Sequence, residues 1–285
     1  MKGREASIAA RLKNVAIEKG ISFQYATLLY MHEGLLRRLS ASPYRDRFAL
    51  KGGLLLQCMA ESGGRSTKDI DVLGNGVGND TETLRAIFVA IARISADDGL
   101  RFDDAAMKAD AITEGAEYHG VRIRMPCYLG TIKNGIQVDV GFGDAVVPPP
   151  REIEYPILVD GSTFSVYAYP LAVVIAEKFE AMVTLADSNS RMKDFWDVAF
   201  ILECFDVPDA ELKTAVKATF KQRRTVLPEK PLVLRDEFAD SVLAEAMWTA
   251  FLKRTHLPDT DWHKTLATIR SRLSDVYNDM LKEMM

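Results

Sequence analysis

Hydrophobic residues change from a helical to a strand-like spacing within the first half of the chain. Over the first 40 residues they recur every three or four positions, which predicts helices, and residues 82–94 show the same spacing. Residues 121–125 and 136–142 instead alternate apolar with polar side chains, as expected of strands with one buried face. Asn134-Gly135, directly before the second of these runs, predicts a hairpin turn.

The second half of the chain has helical spacing almost throughout. Three consecutive prolines at 148–150 mark a break, and a short extended segment follows them. Beyond it the spacing predicts helices over 171–186, 191–205, 209–223, 236–254 and 262–284. We therefore predict an α+β fold with an N-terminal domain over residues 1–150 and a mostly helical C-terminal domain over residues 151–285.

Composition narrows the class of protein further. The chain has 285 residues, 36 Lys and Arg, 40 Asp and Glu, and a formal charge of −4, so a nucleic-acid contact would have to come from a local basic patch. Its three cysteines are far apart and predict neither a disulfide framework nor a zinc site. No apolar run approaches the roughly 18 residues that a membrane span needs. We expect a cytoplasmic protein without a membrane partner.

Two glycines and two aspartates form the most informative stretch. Gly52-Gly53 precedes an apolar helical run, where glycines let the backbone approach an anion and the helix start offers free amides. Thr67, Asp69 and Asp71 alternate with Ile70 and Val72, so a strand here would place both carboxylates on one face. Such carboxylates repel each other unless a cation such as Mg²⁺ neutralises them. Taken alone, the D-x-D pattern also fits a solvated strand edge.

Asp139 is the candidate for a third carboxylate. It lies between two valines in the second alternating run and shares its face with Gln137. If this strand lies beside that of Asp69 and Asp71, the three carboxylates suit two-metal phosphoryl or nucleotidyl transfer. Asp139 would then hold a metal or act as general base, whereas on a solvated face it would do neither. Asp144 is an alternative in a predicted loop.

A lysine on an apolar helix face is the next candidate. Lys178 has apolar neighbours three and four positions away, where an unpaired ammonium is costly. It either extends to the surface or binds a triphosphate as a point charge. Arg191, Asp194 and Asp197 share one face of the following helix, as a surface ion network or as residues that orient Lys178.

These residues resemble a known family. The segments Lys51-Gly52-Gly53, Arg65-x-Thr67-x-Asp69-Ile70-Asp71 and 136–140 are similar to the core of DNA polymerase β-like nucleotidyltransferases. Glu177-Lys178 and Lys193-Asp194-x-x-Asp197 narrow the resemblance to the AbiEii/AbiGii toxin family, as do segments 219–225 and 248–252. The resemblance covers about residues 45–255. Gly-Gly stands where the wider superfamily commonly has Gly-Ser, so a serine contact to phosphate is missing.

The resemblance implies a fold and a set of roles. The fold is a mixed β-sheet flanked by helices and followed by a helical region. The catalytic residues would be Asp69, Asp71, Asp139, Lys178 and Asp194. The nucleotide-binding residues would be Lys51, Gly52, Gly53, Arg65, Thr67, Lys178 and Asp197. The metal ligands would be Asp69, Asp71 and Asp139.

The family resemblance also implies a reaction. Family members are toxins paired with a separately encoded AbiEi-type antitoxin, and some transfer a nucleoside monophosphate from an NTP to tRNA, which blocks translation. We therefore expect a nucleotidyltransferase that uses Mg²⁺, with Mn²⁺ as a substitute. Two alternatives stay open: transfer to a small molecule or a protein, and a non-catalytic module that binds a nucleotide or a partner.

Overall fold

A computed structural model describes residues 3–60, 64–113 and 119–284. Its helices are α1 (Gly3–Glu18), α2 (Phe23–Ser40), α3 (Gly52–Met59), α4 (Thr81–Ala92), α5 (Leu171–Leu185), α6 (Met192–Cys204), α7 (Asp209–Gln222), α8 (Asp236–Ala239), α9 (Val242–Thr255) and α10 (Trp262–Met284). Its strands are β1 (Phe48–Lys51), β2 (Ile70–Gly74), β3 (Leu100–Phe102), β4 (Lys108–Thr113), β5 (His119–Leu129), β6 (Ile132–Gly141), β7 (Arg151–Pro156) and β8 (Thr163–Ala168). The predicted α+β class is confirmed.

The chain divides into two compact units. Unit 1 comprises Met1–Glu61, Thr67–Gly143 and Arg151–Ala168, and unit 2 comprises Ser62–Ser66, Asp144–Pro150 and Tyr169–Met285. Unit 1 thus contains all the strands named above, including two that follow residue 150, and unit 2 contains helices α5 to α10. The division at residue 150 into two domains stays a prediction.

One mixed sheet forms the centre of unit 1. Its strand order is β3-β5-β6-β2-β1-β8-β7, and β4 also pairs with β5. β2 runs parallel to β6 and antiparallel to β1, and β5 and β6 form a long antiparallel hairpin. The alternation of buried aliphatic residues with polar ones, which predicted strands at 121–125 and 136–142, places Val121, Ile123, Val138 and Val140 in the core.

The predicted position of the hairpin turn was wrong. Asn134 and Gly135 lie inside β6, opposite Cys127 and Pro126, and the turn is Gly130-Thr131, between the paired residues Leu129 and Ile132. Gly130 has a φ of 60°. Glycine at the first central position favours the tight II′ turn that joins antiparallel strands, so this short loop fixes the register.

Unit 2 is a helical assembly around an aromatic core. Phe195, Trp248 and Trp262 are buried and pack with ring centroids 5.3–5.5 Å apart. Four of the five helices predicted here match to within two residues. The predicted helix over 236–254 is interrupted at Asp240, because Ser241 starts a new helix by accepting a hydrogen bond from the Ala244 N–H.

No helix in the described part of the chain is both long and apolar enough to cross a membrane.

Candidate functional site

A row of charged residues crosses five neighbouring strands of the sheet in unit 1. The pairing register runs through Asp110 on β4, Arg122 on β5, Asp139 on β6, Asp71 on β2 and Lys51 on β1. Residues paired directly across a sheet point to the same face, so these five side chains share one side of the sheet. The alternating runs in the sequence predicted which residues of one strand share a face. They did not predict that these five residues lie side by side across the strands.

Asp71 and Asp139 are the one pair of neighbours in this row with like charge. They are partners in the parallel ladder between β2 and β6, and Lys51 and Arg122 lie on the outer sides of the pair. The predicted adjacency of the two strands is therefore confirmed. Two adjacent carboxylates raise each other's free energy when ionised, and a cation between them removes that cost.

Arg122 holds Asp139 in a two-pronged ion pair. Its Nε donates to Oδ1 at 2.8 Å and its Nη2 to Oδ2 at 2.7 Å. Both carboxylate oxygens are thus engaged, and Gln137 adds a weak contact at 3.4 Å. Sequence reasoning did not single out Arg122, because only the strand register places it opposite Asp139.

Gly52 lies directly beside the carboxylate of Asp71. It begins α3 with a φ of 67°, a left-handed conformation that glycine adopts without strain. A Cβ built on Gly52 would lie 2.8 Å from Asp71 Cγ and would collide with Oδ2. The residue must therefore be glycine for Asp71 to hold this position.

The start of α3 has the properties predicted for an anion site. Its N-cap residue, Lys51, provides no side-chain hydrogen bond to the first turn, and Gly53 is buried in that turn. The first amides of a helix have no partner within the helix, and they favour negative charge. The Gly-Gly helix entry is thus confirmed as a structural feature, while phosphate binding by Lys51, Gly52 and Gly53 stays a prediction.

Asp69 and Thr67 lie outside the strand on which they were expected. β2 begins at Ile70, and Asp69 occupies the bend before it. The Thr67 N–H donates to the hydroxyl of Tyr25 at 2.9 Å instead of to a strand neighbour, which explains why the ladder does not extend this far. Asp69 therefore lies one residue before β2, and a face shared by Asp69 and Asp71 stays a prediction.

The chemistry of these side chains suits a hard divalent cation. Carboxylate oxygens are the ligands that Mg²⁺ prefers, and the Asp71–Asp139 neighbours have a charge to neutralise. Within the described residues, no group of three or more His, Cys, Asp or Glu is already arranged around one metal position. Asp71 and Asp139 fit a metal by donor type and adjacency, and Asp139 must exchange Arg122 for the cation.

Unit 2 contains a second ionic cluster, around Lys178 of α5. Its Nζ lies 2.7 Å from Asp194 Oδ1 and 2.8 Å from Asp197 Oδ2, both on α6. Arg65 binds Asp197 through two hydrogen bonds of 2.8 and 2.9 Å, and Arg191 Nε lies 2.9 Å from Asp194. Both aspartates are 1% exposed. The structure therefore joins Lys178 to the predicted helix face of Arg191, Asp194 and Asp197.

Mutual attraction keeps this cluster charged despite its burial. Burial opposes the charge of Lys178, but Asp197 and Asp194 more than offset it and raise the pKa of the ammonium. Burial likewise opposes the charge of Asp197, yet Lys178 and Arg65 lower the pKa of this carboxyl below its ordinary value. The catalytic and nucleotide-binding roles of Lys178, Arg65, Asp194 and Asp197 stay predictions.

Asp144, the alternative third carboxylate, belongs to unit 2 and not to the charged row of the sheet. It accepts a hydrogen bond from the hydroxyl of Tyr169 at 3.1 Å, and Arg223 lies 3.6 Å from its Oδ1.

Comparisons with known proteins agree on the class of this chain. Residues 34–271 match the model of the family described as nucleotidyl transferase AbiEii toxin, Type IV TA system. None of the curated proteins compared with the chain matches it significantly.

Two solved structures share the fold. MenT4, a nucleotidyltransferase toxin from Mycobacterium tuberculosis, is 17% identical; the match covers 96% of this chain and 98% of that chain, with a TM-score of 0.52. JHP933 from Helicobacter pylori is 13% identical; the match covers 92% of this chain and 96% of that chain, with a TM-score of 0.51. Since the family model spans most of the sequence, the chain belongs to the AbiEii family of nucleotidyltransferase toxins.

Proposed function

We propose that the chain transfers a nucleoside monophosphate from an NTP to tRNA in a Mg²⁺-dependent reaction and so blocks translation. The observation that carries this proposal is the pairing of Asp71 with Asp139, next to the glycine start of α3. Neighbouring carboxylates beside the amides of a helix start suit a metal–nucleotide complex. A non-catalytic module would not need this adjacency of like charges, which costs folding energy.

The reaction requires one bond to form and one to break. The acceptor hydroxyl oxygen attacks the α-phosphorus of the NTP, and the bond from that phosphorus to the pyrophosphate oxygen breaks. In our proposal, Asp69 and Asp71 hold the metal, and the amides at the start of α3 bind phosphate oxygens. Bound Mg²⁺ would supply charge neutralisation and polarisation of the phosphate. Mn²⁺ offers the same octahedral oxygen coordination and should substitute.

Asp139 has two candidate roles in this mechanism. It would either complete the metal site or accept the proton of the acceptor hydroxyl at a carboxylate oxygen. Both oxygens now accept hydrogen bonds from Arg122, so either role requires that this ion pair loosen. In this proposal, the strength of the ion pair with Arg122 controls how readily Asp139 binds the metal or accepts the proton.

Lys178 is proposed as a phosphate ligand. In the structure its charge is balanced by Asp194 and Asp197, which hold the ammonium in place. Arg65 and Arg191 also bind these carboxylates, so three cations lie around two carboxylates in this cluster. This concentration of cations is the basis for expecting attraction of a phosphate.

The family places the chain in a toxin–antitoxin system, which implies an antitoxin partner and an NTP substrate. We propose that the antitoxin is of the AbiEi type, is encoded nearby, and acts together with the toxin in the cytoplasm. Co-expression with such a neighbour should restore growth to cells that express this chain.

An assay with labelled NTPs tests the proposal directly. Each of the four α-labelled NTPs is incubated with the protein, Mg²⁺ and total tRNA, and label in RNA, protein and small molecules is measured separately. We expect label in tRNA that disappears with EDTA. Label in the protein or the small-molecule fraction alone would favour the alternative acceptors, and no label in any fraction would favour the non-catalytic module.

A further inference from the structure

Unit 2 contains a cleft of about 290 Å³ whose charged lining, among the residues that the structure describes, is basic. Four of these lining residues are cationic: Arg65, Arg191, Lys193 and Arg254. The hydroxyls of Ser190 and Thr255 also line it, and none of the described residues that line it is acidic. Since the whole chain carries a formal charge of −4, this basic lining is a local exception.

Two buried aspartates bind cations of the cleft lining. Arg65 binds Asp197 and Arg191 binds Asp194, and Lys178 draws on the same two carboxylates. Those three cations therefore share two buried anions.

Two further cations lie at the cleft surface. Lys193 and Arg254 are exposed, on α6 and α9 respectively, and neither has an ion pair or side-chain hydrogen bond within the part of the chain that the structure describes. The positive end of the α6 dipole lies at the same place, since that helix begins at Met192. The cleft is therefore an electrostatic site for an anion.

The composition of the lining favours a nucleic-acid backbone over a free nucleotide. An NTP carries several charges on adjacent phosphates and normally arrives with a divalent cation, for which the lining offers no carboxylate. A phosphodiester backbone carries one charge per phosphate and needs only cations spaced along it. Lys193 and Arg254, on different helices, supply such separate cations.

We propose that this cleft binds the phosphodiester backbone of a single-stranded RNA segment. The inference rests on the proposed function in that the RNA would be the acceptor strand. Arg254 and Lys193 contact the phosphates, and the hydroxyls of Ser190 and Thr255 donate hydrogen bonds to phosphate oxygens. In this proposal the site positions the acceptor through its phosphates, and such contacts carry no sequence information directly.

Binding of a fluorescently labelled single-stranded RNA oligonucleotide tests the site without catalysis. Anisotropy is measured at several salt concentrations for the wild-type protein and the Lys193→Ala/Arg254→Ala variant. We expect affinity to fall about tenfold or more, and the slope of log affinity against log salt to decrease by about 1.4, since two phosphate contacts of about 0.7 each are lost. The matched control is Lys264→Ala/Lys282→Ala, which removes the same charge from exposed positions of α10 and should bind like wild type.

Three further measurements decide between ligands and separate this proposal from the proposed function. ATP with Mg²⁺ should bind the double variant as it binds wild type, and inorganic phosphate or AMP should displace RNA only weakly. Asp69→Asn should bind RNA normally. Equal RNA binding by the double variant and wild type, or efficient displacement by AMP, overturns the inference. Absence of NMP transfer by wild type, with RNA binding that depends on Lys193 and Arg254, overturns the catalytic proposal alone.

Discussion

Aspartates serve opposite purposes in the two units of this molecule. In unit 1, Asp71 and Asp139 are half-buried neighbours of like charge, held next to each other by strand register. In unit 2, Asp194 and Asp197 are almost fully buried and surrounded by cations at 2.7–2.9 Å. In the first pair the two carboxylates are side by side on the sheet, with one cation beside each, whereas each carboxylate of the second pair is bound by two cations.

This difference predicts whether a substitution in each unit lowers the activity or the free energy of unfolding. Removing a charge from a like-charge pair relieves repulsion, so it should cost activity without unfolding. Removing a charge from a balanced buried cluster leaves a cation without its partner, so it should cost stability first. Unit 1 contains a D-x-D pattern at Asp69 and Asp71, and unit 2 contains a D-x-x-D pattern at Asp194 and Asp197. The surrounding charges, and not the patterns, decide which effect a substitution has.

Asp71→Asn should have the largest effect on activity. It removes a carboxylate from the proposed metal site, and we expect NMP transfer to fall by at least about 10³-fold, or about 4 kcal/mol in barrier height. The free energy of unfolding should change little, because asparagine keeps the size and shape of the half-buried Asp71 side chain. A variant that keeps its activity would remove the catalytic account of the charged row, and thermal unfolding checks that the fold is intact.

Asp197→Ala should have the largest effect on stability. Arg65 and Lys178 each lose a buried ion pair, which we expect to lower the free energy of unfolding by about 3–5 kcal/mol. The three tryptophans of the chain all belong to unit 2, so urea unfolding followed by tryptophan fluorescence reports on this unit. Asp206→Ala, at an exposed position after α6, is the matched control and should change little. Equal curves for the two variants would refute the buried-network interpretation.

Gly52→Ala should show how far activity depends on the backbone conformation at the start of α3, because it removes no charged residue from unit 1. The new methyl group collides with Asp71 and forces a left-handed conformation that costs about 1–2 kcal/mol. We expect transfer activity to fall about 100-fold while the charged residues remain in place. Gly135→Ala is the control in the same sheet, since a Cβ there meets no atom within 4 Å. Comparable losses in both variants would mean that position 52 has no special role.

Arg122→Ala should free Asp139 and lower the Mg²⁺ concentration needed for half-maximal transfer by several-fold. The cause is that the cation no longer competes with a guanidinium for both carboxylate oxygens. Arg124→Ala removes the same charge from the same strand, but Arg124 pairs with Asp110 and lies opposite Gln137. A Mg²⁺ requirement that is unchanged or higher in Arg122→Ala than in Arg124→Ala would contradict this role.

pH should affect the two units differently, at low pH in unit 2 and towards neutral pH in unit 1. The pKa of Asp197 is lowered by Lys178 and Arg65, so its contribution to stability is present above its ordinary value of 3.8 and is lost as pH falls through the lower folded pKa. In unit 1, burial raises the pKa of Glu33 to about 7, so its contribution is present below about 4.5 and is lost as pH rises through 7. Fluorescence-monitored urea unfolding between pH 5 and 2 should show a decline for wild type that is smaller in Asp197→Asn.

Much of the secondary structure could be predicted because it follows local periodicity. The helices at 171–186 and 191–205 and the strands at 121–125 and 136–142 appear in the structure within a few residues. The errors lie where a local sequence signal competes with the pairing of one strand with another. Asn134-Gly135 is a strong turn signal, yet the turn formed at Gly130-Thr131, whose position pairs the apolar residues of β5 and β6 correctly.

The candidate site was predictable by residue type and not by partner. Alternation indicated Asp71 and Asp139, and the Gly-Gly helix entry indicated Gly52, because those signals are local. The pairing of Arg122 with Asp139 joins residues 17 positions apart and depends on the register of β5 and β6, and that of Arg65 with Asp197 spans 132 residues. Long-range pairing of this kind leaves no periodic trace in one sequence.

The close contact between Gly52 and Asp71 makes a single codon unusually vulnerable. Any change to the first or second base of a glycine codon gives either a residue with a side chain or a stop signal, so every such missense change at position 52 puts a Cβ into occupied space. In a cell whose growth is inhibited by this toxin, a single base change in that codon would be expected to inactivate the toxin and restore growth. The backbone conformation that shapes the site is thereby also the point at which the toxin gene is easily silenced.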